Sequence, residues 1–515
     1  MIRAQNLEDF IKSVDFLKSQ AIENCASEDC AMAIKNIDNF LAALGYEREV
    51  GDIEKQKNGG EVPRKIGEDK YSTLGNEESI WFKLSVLLNT ENPMKVLARL
   101  SEKYGGCVPV NLKSDKVFFL SEPQHFRHVL IDNEQKYIKY FEGLKPIFGN
   151  SMITIDGELW QKIRKPQQPA FHPNMYADYI PHFHSAVETR INVWNNLSST
   201  GQTVDLLEET WALAAEMVAK ALFDRDVPFN PHVVFNAVKS YTDVQNHKSI
   251  RLRQVSGSLE EIGEEPPAKA IDAWLELPPI IFGAEPRNHR TNTLLTMMQR
   301  AEEDDSVPEF DRQQTIDEMK QYLWAGTETT ALTTAWAIYM MTMNPEMKEK
   351  VRAEAKKVFD NNSLPNSEQI RQLAYTKSVI QETLRFYPPI WSLIRTAQET
   401  DHINGHRIRP GDKVVLSTYV SHHNPKYWKN PEEFEPDRFE SQEAIRAQVK
   451  YSYLPFGLGK RSCIGGAMAI LESTLALAEL LHHFEPEYVG TKSAVPEATV
   501  TLVPKDGLPF RFHKR

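Results

Sequence analysis

The stretch FGLGKRSCIG at residues 456–465 places a single cysteine in a glycine-rich loop, directly before an apolar run with helical spacing. A cysteine thiolate that binds a metal needs backbone N–H donors around the sulfur, and Gly465 and Gly466 let the chain turn closely about Cys463. Arg461 offers a positive charge to an anionic group nearby. The stretch predicts that Cys463 is a metal ligand, and the alternative is a buried structural cysteine after a glycine-rich turn.

Five positions of this stretch match the FxxGxRxCxG signature of the cytochrome P450 family, namely Phe456, Gly459, Arg461, Cys463 and Gly465. The resemblance implies a mainly α fold with small β-sheets. It also implies that haem b is the cofactor, with Cys463 as the thiolate ligand of its iron. In the same way it implies that Arg461 binds a haem propionate and that Phe456 covers the proximal side of the sulfur.

Composition places the chain among ordinary globular proteins. It has 515 residues, 41% hydrophobic and 25% charged, and 60 basic against 71 acidic side chains give a net charge of −11. This balance argues against nonspecific nucleic-acid binding. The four cysteines are too few for a disulfide framework or an iron–sulfur cluster, and Cys25 and Cys30 are interpreted as reduced thiols. With no apolar run of 18 residues, we expect a cytoplasmic protein without a transmembrane anchor, like the soluble bacterial members of the family.

The pattern of the chain divides it into three regions. Helical spacing of apolar residues predicts a helical hairpin at residues 1–45, and residues 46–89, which are polar and glycine-interrupted as far as residue 78, are predicted to be a linker and a pre-helix segment. The resemblance covers residues 90–515, which we expect to form the haem domain. Because members of the family ordinarily lack such a hairpin, it is an extension that packs on the main domain, dimerises or binds a partner.

The secondary structure of the haem domain is predicted to be mainly helical. We expect a helix from Pro93 through Tyr104, followed by a hairpin of short strands at residues 109–112 and 117–120. Two late β segments are predicted at residues 414–418 and 499–503.

The sequence AGTETT at residues 325–330 lies inside a long helix predicted to begin near Asp311 or Thr315 and to end at Asn344. It resembles the oxygen-activating AGx(D/E)T(T/S) motif of the family. The resemblance implies that Ala325 lies against the haem and that Glu328 and Thr329 deliver protons during oxygen activation. The alternative is a helix with a locally bonded threonine and an exposed glutamate.

A second motif, ExxR, is offered by Glu382 and Arg385, which lie on one helical face ahead of two prolines. In the family this pair joins the arginine of a later PxRF segment, which is Arg438 here. Removing one member of such a buried charged network is expensive. We therefore assign the three residues to folding and haem retention.

Further residues resemble the propionate-binding set of the family. Trp160 and Arg164 form its WxxxR pattern, and the four-residue spacing puts both on one helical face. Arg395 corresponds to a second propionate-binding arginine. Taken singly, each of these residues is more simply interpreted as a surface side chain; together with Arg461 they balance the two haem carboxylates.

The resemblance implies a monooxygenase that inserts one oxygen atom of O2 into an apolar substrate. Since no dinucleotide fingerprint or iron–sulfur spacing is present, no bound flavin or iron–sulfur cluster is expected, and electrons come from a separate ferredoxin or flavodoxin with its NAD(P)H reductase. Basic residues near the cysteine loop are the predicted docking patch, or else a solvated face: Arg446, Lys450, Lys460, Arg461, Lys162 and Lys165. Two alternatives stay open, a peroxide-driven peroxygenase or hydroperoxide isomerase, and a non-catalytic haem sensor.

The substrate pocket is predicted by family position to include Ile390, Leu393 and Val500, with Phe141 and Leu144 near its entrance. These side chains suit a fatty acyl or terpenoid-like molecule, free or carried by a partner. The segment FGNSMITIDGELW resembles the branch that includes fatty-acid hydroxylases. Fatty acyl chains are therefore slightly favoured.

Overall fold

The computed structural model describes residues 93–112, 115–139, 144–226, 235, 277–360 and 364–515. The helices of this part of the chain are α1 Pro93–Tyr104, α2 Pro123–Arg127, α3 Lys145–Phe148, α4 Gly157–Arg164, α5 Tyr176–Thr200, α6 Leu206–Phe223, α7 Leu294–Glu302, α8 Arg312–Met343, α9 Pro345–Phe359, α10 Ser367–Ile370, α11 Ala374–Phe386, α12 Thr418–His422, α13 Gln442–Ala447 and α14 Gly466–His483. The mainly α prediction is thereby confirmed.

Short strands form four small sheets beside the helices. The strands are β1 Cys107–Leu112, β2 Asp115–Leu120, β3 Tyr137–Lys139, β4 Val204–Asp205, β5 Leu393–Ala397, β6 Asp401–Ile403, β7 His406–Ile408, β8 Lys413–Leu416, β9 Phe484–Tyr488, β10 Pro496–Ala498, β11 Leu502–Pro504 and β12 Pro509–Lys514. The largest sheet has the order β1-β2-β8-β5-β3, in which only the β2–β8 pair is parallel. The other sheets are β4-β12-β9, β10-β11 and β6-β7.

Helix α8 runs through the centre of the helical core. Its 32 residues span about 48 Å. The side chain of Asp311 caps its first turn by accepting from the Gln314 N–H at 2.8 Å, and Pro345 follows its end. It packs most extensively against α6 and also contacts α14, α11 and α7. Because most of its side chains are buried, exposed positions in its middle mark a concave surface inside the protein.

The structure confirms the helix Pro93–Tyr104, the β1–β2 hairpin and the bounds of α8, and it corrects the bounds of both late β segments. Strand β8 ends at Leu416, because the Ser417 side chain accepts from the Val420 N–H at 3.3 Å and so caps α12. The segment predicted at 499–503 is a strand only in its last part: residues 499–501 form the turn between β10 and β11, and residues 502–503 belong to β11. The predicted hairpin at 1–45, the linker at 46–89 and Phe141 lie outside the described residues.

One helical stretch of the described chain, Gly459–His483, is long and apolar enough to cross a membrane by length and composition alone. It contains α14, and 67% of its most apolar window is buried inside the protein. A helix at the core of a globular domain has this composition for the same reason, namely that neighbours surround it.

Candidate active site

The cysteine loop is closed by backbone contacts that only glycine permits. Gly459 has φ +74°, and a Cβ at this position would overlap the carbonyl oxygen of Leu130. The Cys463 N–H donates to the Phe456 carbonyl oxygen at 2.8 Å. A Cβ on Gly466 would lie 2.9 Å from the ring of Phe456. The glycines of the sequence signature therefore allow the loop to fold tightly between the helical turn His128–Asp132, which contains Leu130, and the start of α14.

The thiol of Cys463 lies on a concave surface. Its side chain is accessible to solvent, although the surrounding protein encloses it. This enclosure raises the pKa of the thiol by desolvation, whereas a hydrogen bond from the Gly465 backbone and the positive charges of Arg164 and Lys139 favour the thiolate. A positively charged metal bound at the sulfur would favour the thiolate further. The alternative of a buried structural cysteine does not match this accessibility.

Two of the predicted propionate-binding arginines lie against the indole ring of a third predicted residue, Trp160. The guanidinium of Arg461 lies 3.9 Å from the centroid of Trp160, and that of Arg164 lies 5.1 Å from it. Arg164 also donates to the carbonyl oxygen of Ser462 at 3.3 Å, next to the cysteine. Arg461 donates to the carbonyl oxygen of Ile155 at 3.2 Å. Helix α4 and the cysteine loop are therefore joined through these side chains.

Arg395 and two residues that the sequence did not single out complete this group. Strand pairing sets Lys139 of β3 directly opposite Arg395 of β5. Asp156 caps α4, pairs with Arg461 and accepts from the Lys139 backbone N–H at 2.8 Å. Burial and repulsion from Arg395 and Arg461 lower the pKa of Lys139 to about 7, and burial lowers that of Arg395 to about 10. Lys139, Arg164, Arg395 and Arg461, together called the cation group, thus lie near one carboxylate, that of Asp156.

This excess of positive charge fits a dianionic group such as haem. Like charges placed opposite each other across two strands destabilise a sheet unless an anion compensates them. The Nη1 atom of Arg461 is buried and has no hydrogen-bond partner among the described residues. Two propionates would supply the missing negative charge and acceptors, and the accessible Cys463 sulfur would supply the iron ligand.

On α8, the predicted oxygen-activating residues lie on adjacent faces. Ala325 is exposed although Leu323 and Thr327 beside it are buried, so its side chain borders a cleft inside the protein. The Thr329 hydroxyl donates to the Ala325 carbonyl oxygen at 2.7 Å. A Cβ on Gly326 would lie 2.8 Å from Cγ2 of Val218 on α6, so close helix packing requires this glycine.

The Glu328 carboxyl is buried and has two neutral donors. The indole Nε1 of Trp211 donates to Oε2 at 3.2 Å, and the hydroxyl of Thr501 donates to Oε1 at 3.2 Å. Desolvation raises the pKa of Glu328, and the two hydrogen bonds partly oppose this shift. The expectation of an exposed glutamate, which was the alternative interpretation, is wrong.

Tyr322 links α8 to the cysteine loop. Its ring stacks on Phe171 at 5.5 Å, and Phe171 lies 3.6 Å from where a Cβ of Gly465 would be. Burial raises the pKa of Tyr322, and its interactions with Cys463 and Arg164 are close enough to affect the same pKa. The cleft bordered by Ala325 and the concave surface at Cys463 are therefore neighbours.

The Glu382–Arg385–Arg438 network forms as expected from the sequence. Arg385 binds both carboxylate oxygens of Glu382 at 2.8 and 2.7 Å, and both side chains are fully buried. Arg438 lies 3.5 Å from Glu382 and 2.9 Å from Glu435. Desolvation raises the pKa of Glu382, while Arg385 opposes that shift. Through Arg385 the network also binds the carbonyl oxygens of Pro431 and Glu433, in the segment that precedes the cysteine loop.

His422 connects this network to the cysteine loop, a role that sequence reasoning missed. Its Nδ1 lies 3.2 Å from the Arg385 carbonyl oxygen, and its Nε2 accepts from the Leu454 N–H at 3.0 Å. Burial holds the pKa of His422 far below its usual value, so the ring is neutral and can accept at Nε2. Neither His422 nor His423 contacts the cation group of Arg461 in the described structure.

A polar stripe on the first half of α8 holds the loop that leads to Asp156, and it too was missed. Asp317, Glu318 and Gln321 accept from the backbone N–H groups of residues 150, 152 and 153, at 2.9, 2.8 and 2.8 Å. Burial raises the pKa of Glu318 to about 8. Polar residues at helical spacing within an otherwise buried helix are the sequence signal that could have identified this contact.

The predicted pocket residues are dispersed around the cleft. Leu393 begins β5, and its Cδ1 lies 3.7 Å from where a Cβ of Gly457 would be, beside the cysteine loop. Ile390 is half-buried, and its carbonyl oxygen accepts from the Thr418 hydroxyl at 2.7 Å. Val500 lies at the tip of the β10–β11 turn and is 45% exposed. Leu144 packs partly buried against the main core.

Of the basic residues near the cysteine loop, three form ion pairs and three are exposed without an ion pair among the described residues. Lys162 pairs with Glu309 at 2.5 Å, Lys460 with Glu134, and Arg461 with Asp156. Lys450, Arg446 and Lys165 are exposed. The ammonium of Lys450 lies 4.9 Å from the ring centroid of Tyr451. Fewer of these positive charges are therefore available to an electron-donating partner than the sequence suggested.

Comparison with known proteins agrees with this geometry. The family model for cytochrome P450 matches residues 75–508. The chain is 30% identical over 436 residues to cyclooctatin synthase of Streptomyces melanosporofaciens, covering 82% of this chain and 92% of the relative. It is 28% identical to cyclooctat-9-en-7-ol 5-monooxygenase of the same organism, covering 79% and 86%. It is 27% identical to LUTEIN DEFICIENT 5 of Arabidopsis thaliana, covering 80% and 72%.

Proposed function

Because the chain belongs to the cytochrome P450 family and is a haem-dependent monooxygenase, we propose that it inserts one oxygen atom of O2 into a fatty acyl or terpenoid-like substrate. We also propose that its electrons come from a separate ferredoxin or flavodoxin with its NAD(P)H reductase. The observation that supports the proposal best is the accessible thiol of Cys463 beside the cleft bordered by Ala325.

The residues that would hold the cofactor are those of the cysteine loop and the cation group. Cys463 would bind the iron, and Trp160, Arg164, Arg395 and Arg461 would bind the propionates. When bound, haem supplies the redox chemistry that activates dioxygen. The protein supplies charge balance, orientation and protons, and Lys139 adds a further positive charge beside Arg395.

Proton delivery is assigned to Glu328 and Thr329. The Thr329 hydroxyl already donates to the Ala325 carbonyl oxygen at 2.7 Å, so its lone pairs remain able to accept a hydrogen bond in the cleft. Since burial raises the pKa of Glu328, this carboxyl holds its proton to higher pH than an exposed glutamate does. A carboxylic acid that retains its proton can donate it to a reacting group.

Glu328 and Thr329 also bear on the two alternative functions, a peroxide-driven enzyme and a haem sensor. A peroxide-driven enzyme needs no external reductase, and a haem sensor needs neither protons nor turnover. Family branches with the peroxide-driven habit usually depart from the acid–threonine motif, and the presence of Glu328 and Thr329 favours the monooxygenase. Product formation with NAD(P)H and a reductase system, with little from peroxide alone, is the expected result. Turnover with peroxide alone would favour the peroxygenase, and the absence of both would favour the sensor.

Docking of the electron donor is placed on the exposed cations near the cysteine loop. Lys450 is the best probe, because it is exposed and has no carboxylate partner among the described residues. Lys450→Glu is expected to slow reduction by an acidic ferredoxin more at low than at high ionic strength. Lys165→Glu is a second exposed site. Lys162→Glu serves as a control, because Lys162 already pairs with Glu309 and its charge is less available to a partner. Equal rates in all three variants would place docking elsewhere.

Two observations bear on the substrate, and they favour different classes. The FGNSMITIDGELW resemblance favours fatty acyl chains, whereas the name of one relative, cyclooctat-9-en-7-ol 5-monooxygenase, denotes an unsaturated alcohol. Ile390, Leu393 and Val500 are all apolar and suit either class. We further infer that the haem domain comprises residues 90–515 and that the protein is cytoplasmic, with the apolar window around α14 mostly buried.

A substrate panel tests the substrate class directly. Free fatty acids, carrier-bound acyl chains, terpenoid alcohols and their hydrocarbons are added to the purified holoprotein, and the low-to-high spin shift of the haem is recorded. A saturable shift within one class, followed by oxygenated product with a surrogate ferredoxin system, is expected. The absence of any shift across all four groups would contradict an apolar substrate of this kind.

A further inference from the structure

We propose that Trp211 and Thr501 are positioning residues for proton delivery, which fix the Glu328 carboxyl from two sides through hydrogen bonds to its two oxygens. The inference rests on the proposed role of Glu328. It adds two residues that lie far from the motif in sequence, 117 and 173 positions away from Glu328.

Trp211 forms the rigid side of this arrangement. It lies on α6, is 2% exposed, and donates from Nε1 to Oε2 of Glu328 at 3.2 Å. Its ring also meets Phe235 edge-on at 6.0 Å. Helix α6 packs along α8 more extensively than any other pair of elements in the described structure. The indole N–H therefore has little freedom to follow the carboxyl if Glu328 moves.

Thr501 forms the second side and lies in the β10–β11 turn. Its hydroxyl donates to Oε1 of Glu328 at 3.2 Å, and its carbonyl oxygen accepts from the Thr499 N–H at 2.9 Å and the Thr499 hydroxyl at 2.8 Å. The Thr499 carbonyl oxygen in turn accepts from the indole of Trp391 at 2.8 Å. The turn is thus held in place by contacts independent of Glu328, and it presents the Thr501 hydroxyl to the acid.

Both donors are neutral, so neither adds a positive charge that would hold Glu328 as the anion. No Lys, Arg or His forms an ion pair with Glu328 in the part of the chain that the structure describes, and no charged side chain ranks among the causes of its pKa shift. A carboxyl paired with a cation is held as the anion, whereas burial away from any such cation raises the pKa of Glu328, and the two neutral donors oppose this shift only in part. Two donors on two oxygens also restrict rotation about the last bond of the side chain. The two donors therefore fix the direction of the Glu328 carboxyl, while its burial raises its pKa.

The variants that test this arrangement each remove one hydrogen bond with little change of shape. Trp211→Phe removes the indole donor, Thr501→Val removes the hydroxyl, and Glu328→Gln removes the acid. Two matched controls remove buried donors that do not contact Glu328. They are Trp194→Phe, whose indole donates to the Glu209 carboxylate at 2.9 Å, and Thr210→Val, whose hydroxyl bonds within α6 at 3.0 Å.

Two measurements are made on holoprotein of each variant. Infrared spectroscopy follows the C=O stretch of the protonated Glu328 carboxyl, identified by its loss in Glu328→Gln, as the pH is raised. Because both donors stabilise the anion, their removal is expected to move this titration to higher pH. Turnover gives the ratio of product to NAD(P)H consumed. Glu328→Gln is expected to lower product formation by roughly 100-fold, and each donor variant by roughly 3- to 10-fold.

The outcomes separate the inference from the proposed role on which it rests. If Glu328→Gln leaves product formation unchanged, Glu328 does not deliver protons and both ideas fail. If Glu328→Gln impairs turnover but Trp211→Phe and Thr501→Val match the two controls in both measurements, the positioning role is overturned and the role of Glu328 stands. Should Trp211→Phe fail to retain haem, Thr501→Val alone decides, because it alters a turn and not the helical core.

Discussion

Replacing Arg385 with alanine should destabilise the protein more than any other single change in the charged network. The guanidinium makes five hydrogen bonds, two to Glu382 and three to the carbonyl oxygens of His422, Pro431 and Glu433. Removing one partner of a buried ion pair costs about 3–5 kcal/mol. Each carbonyl left without a donor adds about 1 kcal/mol. The expected loss, about 6–8 kcal/mol, is a large share of the ~5–15 kcal/mol that stabilises a typical domain.

Urea unfolding of the holoprotein, followed by Trp fluorescence and by haem absorbance, measures this loss. Arg438→Ala should cost less, because Arg438 lies 3.5 Å from Glu382 and its better partner, Glu435, is 40% exposed. Arg127→Ala is the control, since the Arg127–Asp132 pair is exposed and worth less than about 1 kcal/mol. A free energy of unfolding for Arg385→Ala within about 1 kcal/mol of the wild type would refute the reasoning.

Three further predictions concern the loop, the buried acid and the cation group. Gly459→Ala should abolish haem binding, because its Cβ would overlap the Leu130 carbonyl oxygen, whereas Gly411→Ala, also at positive φ but with open space around it, should cost only about 1 kcal/mol; equal haem content in the two would contradict this. Burial raises the pKa of Glu318 to about 8 in the folded protein. The free energy of unfolding that this proton contributes is therefore complete below about pH 4, and it is lost as the pH rises through 8. Glu318→Gln should therefore lose less unfolding free energy than the wild type between pH 5 and pH 8, and identical slopes would exclude the shift. Arg395→Gln should speed haem transfer to a scavenging apoprotein by roughly 10-fold, without altering the thiolate spectrum, and an unchanged transfer rate would remove Arg395 from the propionate set.

Local signals made α8 predictable from the sequence. Asp311 supplies a side-chain cap, Pro345 ends the helix, and apolar residues fill the interval, so propensity and burial agree. The cysteine loop was predictable for a similar reason, because its glycines are required by contacts within a few residues of Cys463 and by one close approach to Leu130. In both cases the information lies in a short stretch of chain.

The missed residues depend on pairings across long stretches of sequence. Lys139 joins the cation group only because β3 pairs with β5, which sets it opposite Arg395. Trp211 and Thr501 approach Glu328 from two elements far apart in the chain. The start of the last predicted β segment was misplaced because the β-branched residues 499–501 have strand propensity, whereas the hydrogen bonds between Thr499 and Thr501 close a turn there and β11 begins at Leu502.

The central claim is that Cys463 binds haem iron as a thiolate in the cleft beside Ala325. The carbon monoxide difference spectrum of the reduced holoprotein tests it most directly, since a thiolate ligand shifts the Soret band of the carbonyl complex in a way that nitrogen ligands do not. We expect the wild type to show the thiolate-shifted band and Cys463→Ala to lose it, while Cys107→Ala, at a buried cysteine outside the site, keeps it. A wild-type spectrum without that band, or a band that survives in Cys463→Ala, would contradict the account.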